Sequence, residues 1–284
     1  MTKKETAFFV VTGAASGMGA ASALRLGRRG KVLLVDIDAK RLDLMTDKLV
    51  SGGIKAEKYI CDLMDEQSVC LLAETAKSMG RVIGLVNAAG ISPSMTSDWR
   101  KVLSVDLVGT ALMLREFLPL MVPGAAAVCI ASIAARAFIS SPETDNVLDN
   151  PLDHEFLNRI ESYLSISLPP SSEIDPKSGA AYLLAKCGVV RLCERLAPVW
   201  AQHGARIVSI SPGNIDTPMG RLEYDRLEYM RKSVEMTPIR RLGKPEEIAA
   251  AVDFLCSEDA SYITGCDLLI DGGFTAAITH ADSH

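Results

Sequence analysis

The sequence predicts an α/β fold in which a parallel sheet is doubly wound, with helices on both of its faces. Short runs of continuously apolar residues alternate with helical patterns along the chain, as is typical of parallel strands buried on both faces. Candidate binding motifs follow the ends of these runs, where ligands bind in open sheets of this class. The 284 residues, 48% of them hydrophobic, are sufficient for one large buried core.

The first strand is predicted over residues 7–11, and a loop with three glycines follows it. The loop, residues 12–19, reads TGAASGMG and leads into a helical pattern over residues 20–29. In a strand–loop–helix unit of this kind, backbone N–H groups and the positive end of the helix can approach a pyrophosphate closely. Because the glycine spacing is G-x-x-x-G-x-G and not the usual G-x-G-x-x-G, an ordinary glycine-rich turn is the alternative.

The second strand is predicted over residues 31–35, and it ends at Asp36. A carboxylate about 20 residues beyond the glycines can accept hydrogen bonds from both ribose hydroxyls of NAD, and it would repel the 2′-phosphate of NADP. The nearest arginine in sequence is Arg41, which does not adjoin Asp36. The sequence therefore favours NAD over NADP. Asp38, the second acid here, is interpreted as a helix N-cap.

The third and fourth strands are predicted over residues 55–60 and 81–86, with a helix over 65–79 between them. The third strand ends in Cys61-Asp62-Leu63, and the fourth ends in Asn87-Ala88-Ala89-Gly90. Because strands and helices alternate, both strand ends are expected at the same edge of the sheet as the glycine loop.

A long helix is predicted over residues 98–119, and it contains Asp106. The fifth strand, over residues 125–131, is closed by Ser132. A serine in this position can be no more than a cap. Its place at the ligand edge of the sheet favours a role in chemistry instead.

Tyr182 and Lys186 lie four residues apart in an apolar run without proline, residues 179–196. In a helix they share one face, a turn apart. The ammonium would stabilise the phenolate and lower the tyrosine pKa from its ordinary value of about 10, as a general acid/base requires. The same spacing also occurs by chance in helices.

The remaining chain contains two more strand patterns. A sixth strand over residues 205–211 ends in Pro212-Gly213, and a polar, methionine-bearing segment over residues 214–237 follows it. The last long helix begins at Pro245, and residues 268–273 form a further short apolar run that ends in a turn. The sheet is therefore expected to have seven strands.

Taken together, these motifs resemble the short-chain dehydrogenase/reductase family in its shorter, single-domain branch. The likeness covers residues 7–273, and the motifs occur in the family's order. They are the glycine loop, Asp62, Asn87-Ala88-Ala89-Gly90, Ser132, Tyr182-x-x-x-Lys186 and Pro212-Gly213-Asn214-Ile215-Asp216-Thr217. The resemblance implies a Rossmann-type fold and a single domain over residues 1–284.

The resemblance also implies roles for matching residues. Ser132 would hydrogen-bond the substrate oxygen, Tyr182 would move its proton, and Lys186 would hold the nicotinamide ribose and lower the tyrosine pKa. The positive charge of the oxidised nicotinamide would lower that pKa further. The residues expected to bind the cofactor are Gly13, Ser16, Gly17, Met18, Gly19, Asp36, Ile37, Asp62, Leu63, Asn87, Ala88, Gly90, Tyr182, Lys186, Pro212, Gly213, Ile215 and Thr217.

The function that the resemblance implies is an NAD-dependent oxidoreductase acting on CH–OH groups. It would transfer a hydride between nicotinamide and a secondary alcohol or ketone. The alternative is a non-catalytic NAD-binding regulator of the same fold. Homo-oligomers, tetramers or dimers, are expected, with helices around residues 98–120 and 179–203 pairing between subunits.

Asp106 is the first departure from the family pattern. The family has asparagine in a motif like N-x-x-G, whereas this chain has Asp106-Leu107-Val108-Gly109. The family's asparagine is thought to present its backbone carbonyl to a water of the proton relay. Aspartate keeps that carbonyl and adds a charge within reach of Lys186, which would favour the ammonium. Reduced or pH-shifted activity is expected, so Asp106 is counted with the catalytic residues.

The second departure is an insert over about residues 137–178. Ser132 and Tyr182 are separated by 49 residues, far more than in most of the family. A helix is predicted from residue 152 to 163 or 164, with Leu152, Phe156, Ile160 and Tyr163 on one face. Because catalytic residues flank the insert, it is expected to form a lid or wall over the substrate, with an oligomer contact as the alternative. The segment 214–237 is expected to be a flexible substrate loop.

A similarly long insert is found in bacterial enzymes that resemble 3α-hydroxysteroid dehydrogenase/carbonyl reductase. By analogy, the substrate is expected to be hydrophobic, steroid-like or otherwise bulky.

Composition excludes several other classes of protein. A net charge of −5 without a basic block argues against nucleic-acid binding. Seven cysteines without a C-x-x-C pair indicate reduced thiols and a cytoplasmic protein. The apolar run at residues 7–11 is too short for a signal peptide or a membrane span. The four histidines lack metal-ligand spacing, so no metal is expected.

Overall fold

Seven parallel strands form one sheet in the computed structural model, which describes residues 6–138, 141–165 and 174–280. The strands are β1 (Ala7–Thr12), β2 (Lys31–Asp36), β3 (Ala56–Ile60), β4 (Arg81–Asn87), β5 (Met121–Ile130), β6 (Arg206–Pro212) and β7 (Asp267–Ile270). Their order across the sheet is β3-β2-β1-β4-β5-β6-β7. The predicted α/β fold with a seven-stranded parallel sheet is thus confirmed.

Helices connect the strands and cover both faces of the sheet. They are α1 (Gly17–Gly27), α2 (Ala39–Ser51), α3 (Glu66–Met79), α4 (Trp99–Leu103), α5 (Gly109–Phe117), α6 (Pro142–Leu148), α7 (Phe156–Ile160), α8 (Pro176–Gln202), α9 (Pro218–Arg226), α10 (Glu228–Met236), α11 (Pro245–Leu255) and α12 (Phe274–Thr279). None of the helices in the described part of the chain is both long and apolar enough to cross a membrane.

The alternation of side chains along β1 shows why the strand sequences are continuously apolar. Phe8 and Val10 enter a core that also contains buried residues of α3, α5 and α8. Phe9 and Val11 enter a second core, on the other face, with residues of α1, α2 and α11. Successive side chains of a strand point to opposite faces, so a sheet covered on both faces needs apolar residues at every position.

The strand order reverses between β1 and β4. From β1 the chain first adds β2 and β3 on one side and then β4 to β7 on the other. Connections from β1 and β4 therefore leave in opposite directions, which opens a crevice at the carboxyl ends of these strands. The paired residues Thr12 and Asn87 mark this edge.

Residues 141–165 of the predicted insert pack against α8 and α4. Phe156 and Ile160 are buried in the same core as α4 and α8. The Arg191 guanidinium on α8 pairs with Asp145 at 2.9 Å and with Asp149 at 2.8 Å. Residues 139–140 and 166–173 of the insert lie outside the described residues, and the lid remains a prediction.

The helix predicted from residue 152 is shorter than expected. It begins at Phe156, and a single 3₁₀ turn over Glu161–Tyr163 follows α7. Asp153 accepts a hydrogen bond from the Glu155 N–H at 3.0 Å, which forms a turn before the helix. Leu152 consequently lies outside the helix and is 39% exposed, so its predicted place on the apolar helix face is wrong.

Candidate active site

Tyr182 and Lys186 lie one turn apart on α8, as their spacing predicts. The helix begins after Asp175, whose carboxylate accepts a hydrogen bond from the Ser178 N–H at 2.8 Å. The Lys186 Nζ lies 5.4 Å from the centre of the Tyr182 ring. Lys186 is buried and donates a hydrogen bond to the Ile130 carbonyl oxygen at 3.4 Å, which ties α8 to the end of β5.

Asp106 forms a buried ion pair with Lys186. Its Oδ2 lies 3.1 Å from the Lys186 Nζ, and its Oδ1 accepts a hydrogen bond from the Ile91 N–H at 2.8 Å. Burial has the largest single effect on Lys186 and disfavours the ammonium, but the charge and hydrogen bond of Asp106, together with the nearby Tyr182 and Cys129, outweigh it and raise the pKa of Lys186. Burial also raises the pKa of Asp106, because Lys186 and the Ile91 N–H offset only part of the lost hydration.

A π-helical turn places Asp106 in this position. The predicted helix over residues 98–119 is divided, because α4 and α5 are joined by the π turn Ser104–Val108. Gly109 follows the turn, and a Cβ added there would lie 2.8 Å from the Leu63 Cβ. The Asp106 backbone carbonyl accepts a hydrogen bond from the Thr110 Oγ1 at 2.7 Å. Widened turns of this kind are frequent at functional sites.

Ser132 has the capping role that the sequence left open, and it also lies beside Tyr182. Its Oγ accepts a hydrogen bond from the Ala134 N–H at 3.1 Å, so it caps the short turn that follows. Its hydroxyl also lies near the Tyr182 phenol, where it lowers the pKa of Tyr182 and so favours the phenolate. The end of β5 and α8 thus bring Ser132 and Tyr182 together.

Burial raises the pKa of Tyr182 above its ordinary value. Lys186 opposes this effect, whereas the negative charges of Glu223 and Asp106 add to it. Lys186 thus lowers this pKa as expected, but desolvation and two carboxylates together outweigh one ammonium, so the net shift in the protein alone is upward.

The glycine loop brings backbone close to backbone. Gly13 has a φ of +63°, and an added Cβ would lie 2.7 Å from the Ala88 carbonyl oxygen. A Cβ on Gly19 would collide with the Gly13 carbonyl oxygen, so neither position accommodates a side chain. Ser16 precedes α1 but makes no side-chain cap to it, and Met18 lies in its first turn. The loop and the helix end fit a pyrophosphate.

Acidic side chains end the neighbouring strands. The Asp36 carboxylate accepts hydrogen bonds from the Ala15 and Asp38 N–H groups, both at 3.0 Å. Asp38 caps α2 as predicted, and its carboxylate pairs with Arg41 at 3.3 Å. Next to β3, Asp62 accepts a hydrogen bond from the Met64 N–H at 2.9 Å. Two further predicted cofactor residues adjoin these acids: Ile37 is 62% exposed, and Leu63 is buried.

Asn87 is engaged in a buried network. Its Oδ1 accepts a hydrogen bond from the Thr12 Oγ1 at 2.7 Å, and its Nδ2 donates one to the Thr110 Oγ1 at 2.8 Å. The Thr12 hydroxyl also accepts hydrogen bonds from the Ala88 and Ala89 N–H groups. The side chain of Asn87 thus connects β1, β4 and α5, and Thr12 and Thr110 are partners that the sequence analysis did not identify.

The segment after β6 approaches the glycine loop. The Thr217 hydroxyl caps α9 by accepting a hydrogen bond from the Gly220 N–H at 3.0 Å. An added Cβ on Gly17 would lie 3.2 Å from the Thr217 Cγ2. Ile215 is buried and pairs with Gly243 in an isolated bridge. On the other side of the crevice, a Cβ on Gly90 would lie 3.3 Å from the Lys186 Nζ. The turn from Pro212 to Thr217 is thus held at the same edge of the sheet.

Glu223, Ser92 and Ser94 adjoin the catalytic groups, and the sequence analysis did not identify them. The Ser94 Oγ donates a hydrogen bond to the Glu223 Oε1 at 3.3 Å, and it lies 2.6 Å from the Ser92 Oγ. Burial raises the pKa of Glu223. Glu223 is one acid among several polar residues, so no sequence pattern could have predicted its position near Tyr182.

Two family models match the chain. The model described as "short chain dehydrogenase" matches residues 7–141, and the one described as "Enoyl-(Acyl carrier protein) reductase" matches residues 156–275. A short-chain dehydrogenase/reductase of Alternaria brassicicola is 32% identical over 271 residues, which cover 95% of this chain and 96% of that protein. A galactitol 2-dehydrogenase (L-tagatose-forming) of Cereibacter sphaeroides is 31% identical, with 93% of each chain covered. The crystal structure of a levodione reductase aligns with a TM-score of 0.74 at 28% identity, covering 96% of this chain and 98% of that one.

Proposed function

The chain belongs to the short-chain dehydrogenase/reductase family, and we propose that it transfers a hydride between NAD and a secondary alcohol or ketone. Relatives of this chain include dehydrogenases that act on CH–OH groups. The observation that most supports the proposal is the arrangement of Ser132, Tyr182 and Lys186. Both other residues lie near Tyr182, on the edge of the sheet that carries a glycine loop fitting a dinucleotide.

The three side chains have separable tasks in this proposal. A bound nicotinamide supplies the hydride acceptor and a positive charge. The Ser132 hydroxyl donates a hydrogen bond to the substrate oxygen, and the Tyr182 oxygen takes the hydroxyl proton during oxidation. The Lys186 ammonium, which Asp106 keeps protonated, favours the phenolate form of Tyr182.

The preference for NAD rests on the charges around Asp36. Its carboxylate would accept hydrogen bonds from ribose hydroxyls and repel a 2′-phosphate. Arg41 is the arginine nearest to it in sequence, and it already pairs with Asp38. The 2′-phosphate of NADP would therefore lie near the carboxylates of Asp36 and Asp38. The arginine of α2 would not be free to bind it.

Two statements about the substrate and the assembly remain proposals. A bulky, hydrophobic substrate is supported by the similarly long insert of enzymes that resemble 3α-hydroxysteroid dehydrogenase/carbonyl reductase. The similarity to a galactitol 2-dehydrogenase supports a polyhydroxylated substrate instead. A homo-oligomer is supported by family likeness. Cytoplasmic localisation stays a prediction from the cysteine pattern.

The proposal is tested with purified protein, NAD or NADP, and a panel of alcohols, followed by the absorbance of the reduced cofactor. The panel contains steroid alcohols, cyclic secondary alcohols and sugar alcohols. Turnover with NAD is expected. Binding of NAD without turnover of any class would contradict the proposal and favour the non-catalytic regulator, which the dehydrogenases and reductases among the relatives do not favour.

A further inference from the structure

A polar cluster lies near Tyr182. Glu223, on α9, accepts a hydrogen bond from the Ser94 hydroxyl, and Ser94 is in turn hydrogen-bonded to Ser92. Ser92 is buried, and Glu223 is partly buried. The cluster joins α9 to the loop that follows β4.

One end of that loop is tied to Asp106, and the other is tied to α8 one turn before Tyr182. At one end the Ile91 N–H donates a hydrogen bond to Asp106, which pairs with Lys186. At the other end the Thr96 carbonyl oxygen accepts a hydrogen bond from the Ser178 hydroxyl at 2.8 Å, one turn before Tyr182. Ser92 and Ser94 lie between these contacts, so they hold the Glu223 carboxylate close to the Tyr182 end of the site. The effect of the Glu223 charge on Tyr182 agrees with this proximity.

No lysine or arginine in the described part of the chain pairs with the Glu223 carboxylate. Its surroundings in the described part of the chain contribute hydroxyl groups of Ser92 and Ser94 and no lysine or arginine. A partly buried carboxylate with this environment is stabilised by further hydrogen-bond donors. An ionised carboxylate only accepts hydrogen bonds, so the ligand that fits it presents a hydroxyl group.

We propose that Glu223 determines substrate specificity by accepting a hydrogen bond from a second hydroxyl group of the substrate. The favoured substrate is therefore a diol or polyol, of which one hydroxyl reacts at Tyr182 and another binds Glu223. The inference rests on the proposed dehydrogenase function. It adds a requirement on the part of the substrate that does not react.

The experiment compares cyclohexanol with cyclohexane-1,2-, 1,3- and 1,4-diol in the presence of NAD. The wild-type protein is expected to favour at least one diol. In Glu223→Ala, the ratio of kcat/KM for that diol to kcat/KM for cyclohexanol should fall roughly tenfold to a hundredfold, the effect of one hydrogen bond to a charged group. The loss should appear mainly in KM, because the bond is present in the ground state as well as the transition state.

Two further variants separate recognition from a general structural effect. Glu223→Gln keeps an acceptor oxygen and should restore part of the preference. Asp225→Asn changes an exposed acid on the same helix and should leave the ratio within about twofold of wild type. Using a ratio removes the effect of the Glu223 charge on Tyr182, since that effect applies to every substrate.

The outcomes distinguish the two proposals. Oxidation of cyclohexanol by the wild type without any preference for a diol would contradict the inference and leave the proposed function intact. Preference for trans-2-aminocyclohexanol over every diol would identify a cation site and also contradict it. Failure to oxidise any alcohol of the panel would contradict the proposed function itself.

Discussion

Asp106 and Lys186 bury opposite charges 3.1 Å apart, with the Ile91 N–H as a further partner of the carboxylate. Such a pair is costly to break from one side, because removing one partner leaves the other charged and poorly hydrated. The pair also acts on the neighbouring phenol. Lys186 favours the phenolate of Tyr182, whereas Asp106 disfavours it. A single residue in the π turn thereby adjusts the acid/base group of α8.

Where Lys186 stays an ammonium without Asp106, Asp106→Asn is expected to shift the pH–rate profile of alcohol oxidation to lower pH; loss of the Lys186 proton would shift it to higher pH. The carboxylate raises the pKa of Tyr182, so its removal lowers that pKa, and the phenolate needed for oxidation forms at lower pH. The measurement is kcat/KM against pH for wild type and variant. An unchanged profile would contradict the role of Asp106, and Asp47→Asn, at an exposed position, is the control.

Tyr182→Phe is expected to reduce kcat by roughly a hundredfold to ten-thousandfold, the usual contribution of a general acid/base. Binding of NADH, followed by its fluorescence, should stay within a few-fold of wild type because the ring is retained. The fully exposed Tyr262 offers a matched control in Tyr262→Phe. Retention of wild-type kcat in the Tyr182 variant would exclude the proposed chemistry.

Among the elements, α8 combines the catalytic residues with the attachment of the insert. Tyr182 and Lys186 lie in its first half, and Arg191 binds α6 one turn and a half further on. The Arg191 guanidinium donates to both Asp149 oxygens, at 2.8 and 2.9 Å. This bidentate pair is only partly exposed, so it holds the described insert more strongly than a surface pair would.

Asp149→Asn should lower the free energy of unfolding by about 1–2 kcal/mol, because one neutral amide replaces a bidentate, charged partner of Arg191. Urea unfolding followed by circular dichroism measures the change. Glu228→Gln interrupts an exposed pair with Lys232 and should stay within about 0.5 kcal/mol of wild type. Equal losses of unfolding free energy in the two variants would show that the Asp149–Arg191 pair stabilises the protein no more than an exposed ion pair does.

At the scale of the whole molecule, the reversal of strand order between β1 and β4 brings distant segments to one edge of the sheet. The glycine loop follows β1, the loop with Ser92 follows β4, and Ser132 follows β5. A ligand bound at this edge would contact segments from most of the chain. It should therefore stabilise the fold as one unit.

NAD is expected to raise the midpoint of thermal unfolding more than NADP at the same concentration. A ligand present at about a hundred times its Kd adds roughly 2.7 kcal/mol to the stability of the native state. Asp36→Ala should reduce the difference between the two cofactors, because it removes the charge that repels a 2′-phosphate. Equal stabilisation of the wild type by both cofactors would contradict the proposed NAD preference.

The sequence by itself determined the sheet, the family and the order of the motifs. These features depend on local patterns: apolar runs of strand length, glycines at fixed spacing, and Tyr182 four residues before Lys186. A parallel sheet then places every strand's carboxyl end at one edge, so Ser132 and Tyr182 could be expected to meet.

Tertiary structure alone decided the electrostatics and the substrate side of the site. The raised pKa of Tyr182 depends on burial, which no local pattern reports. The contact between Ser94 and Glu223 joins residues 129 positions apart, and Gly109, which follows the π turn around Asp106, packs closely against Leu63. Burial and contacts of this range arise only when elements pack. They are therefore properties of the folded chain, whereas strand and helix patterns are already present in the order of the residues.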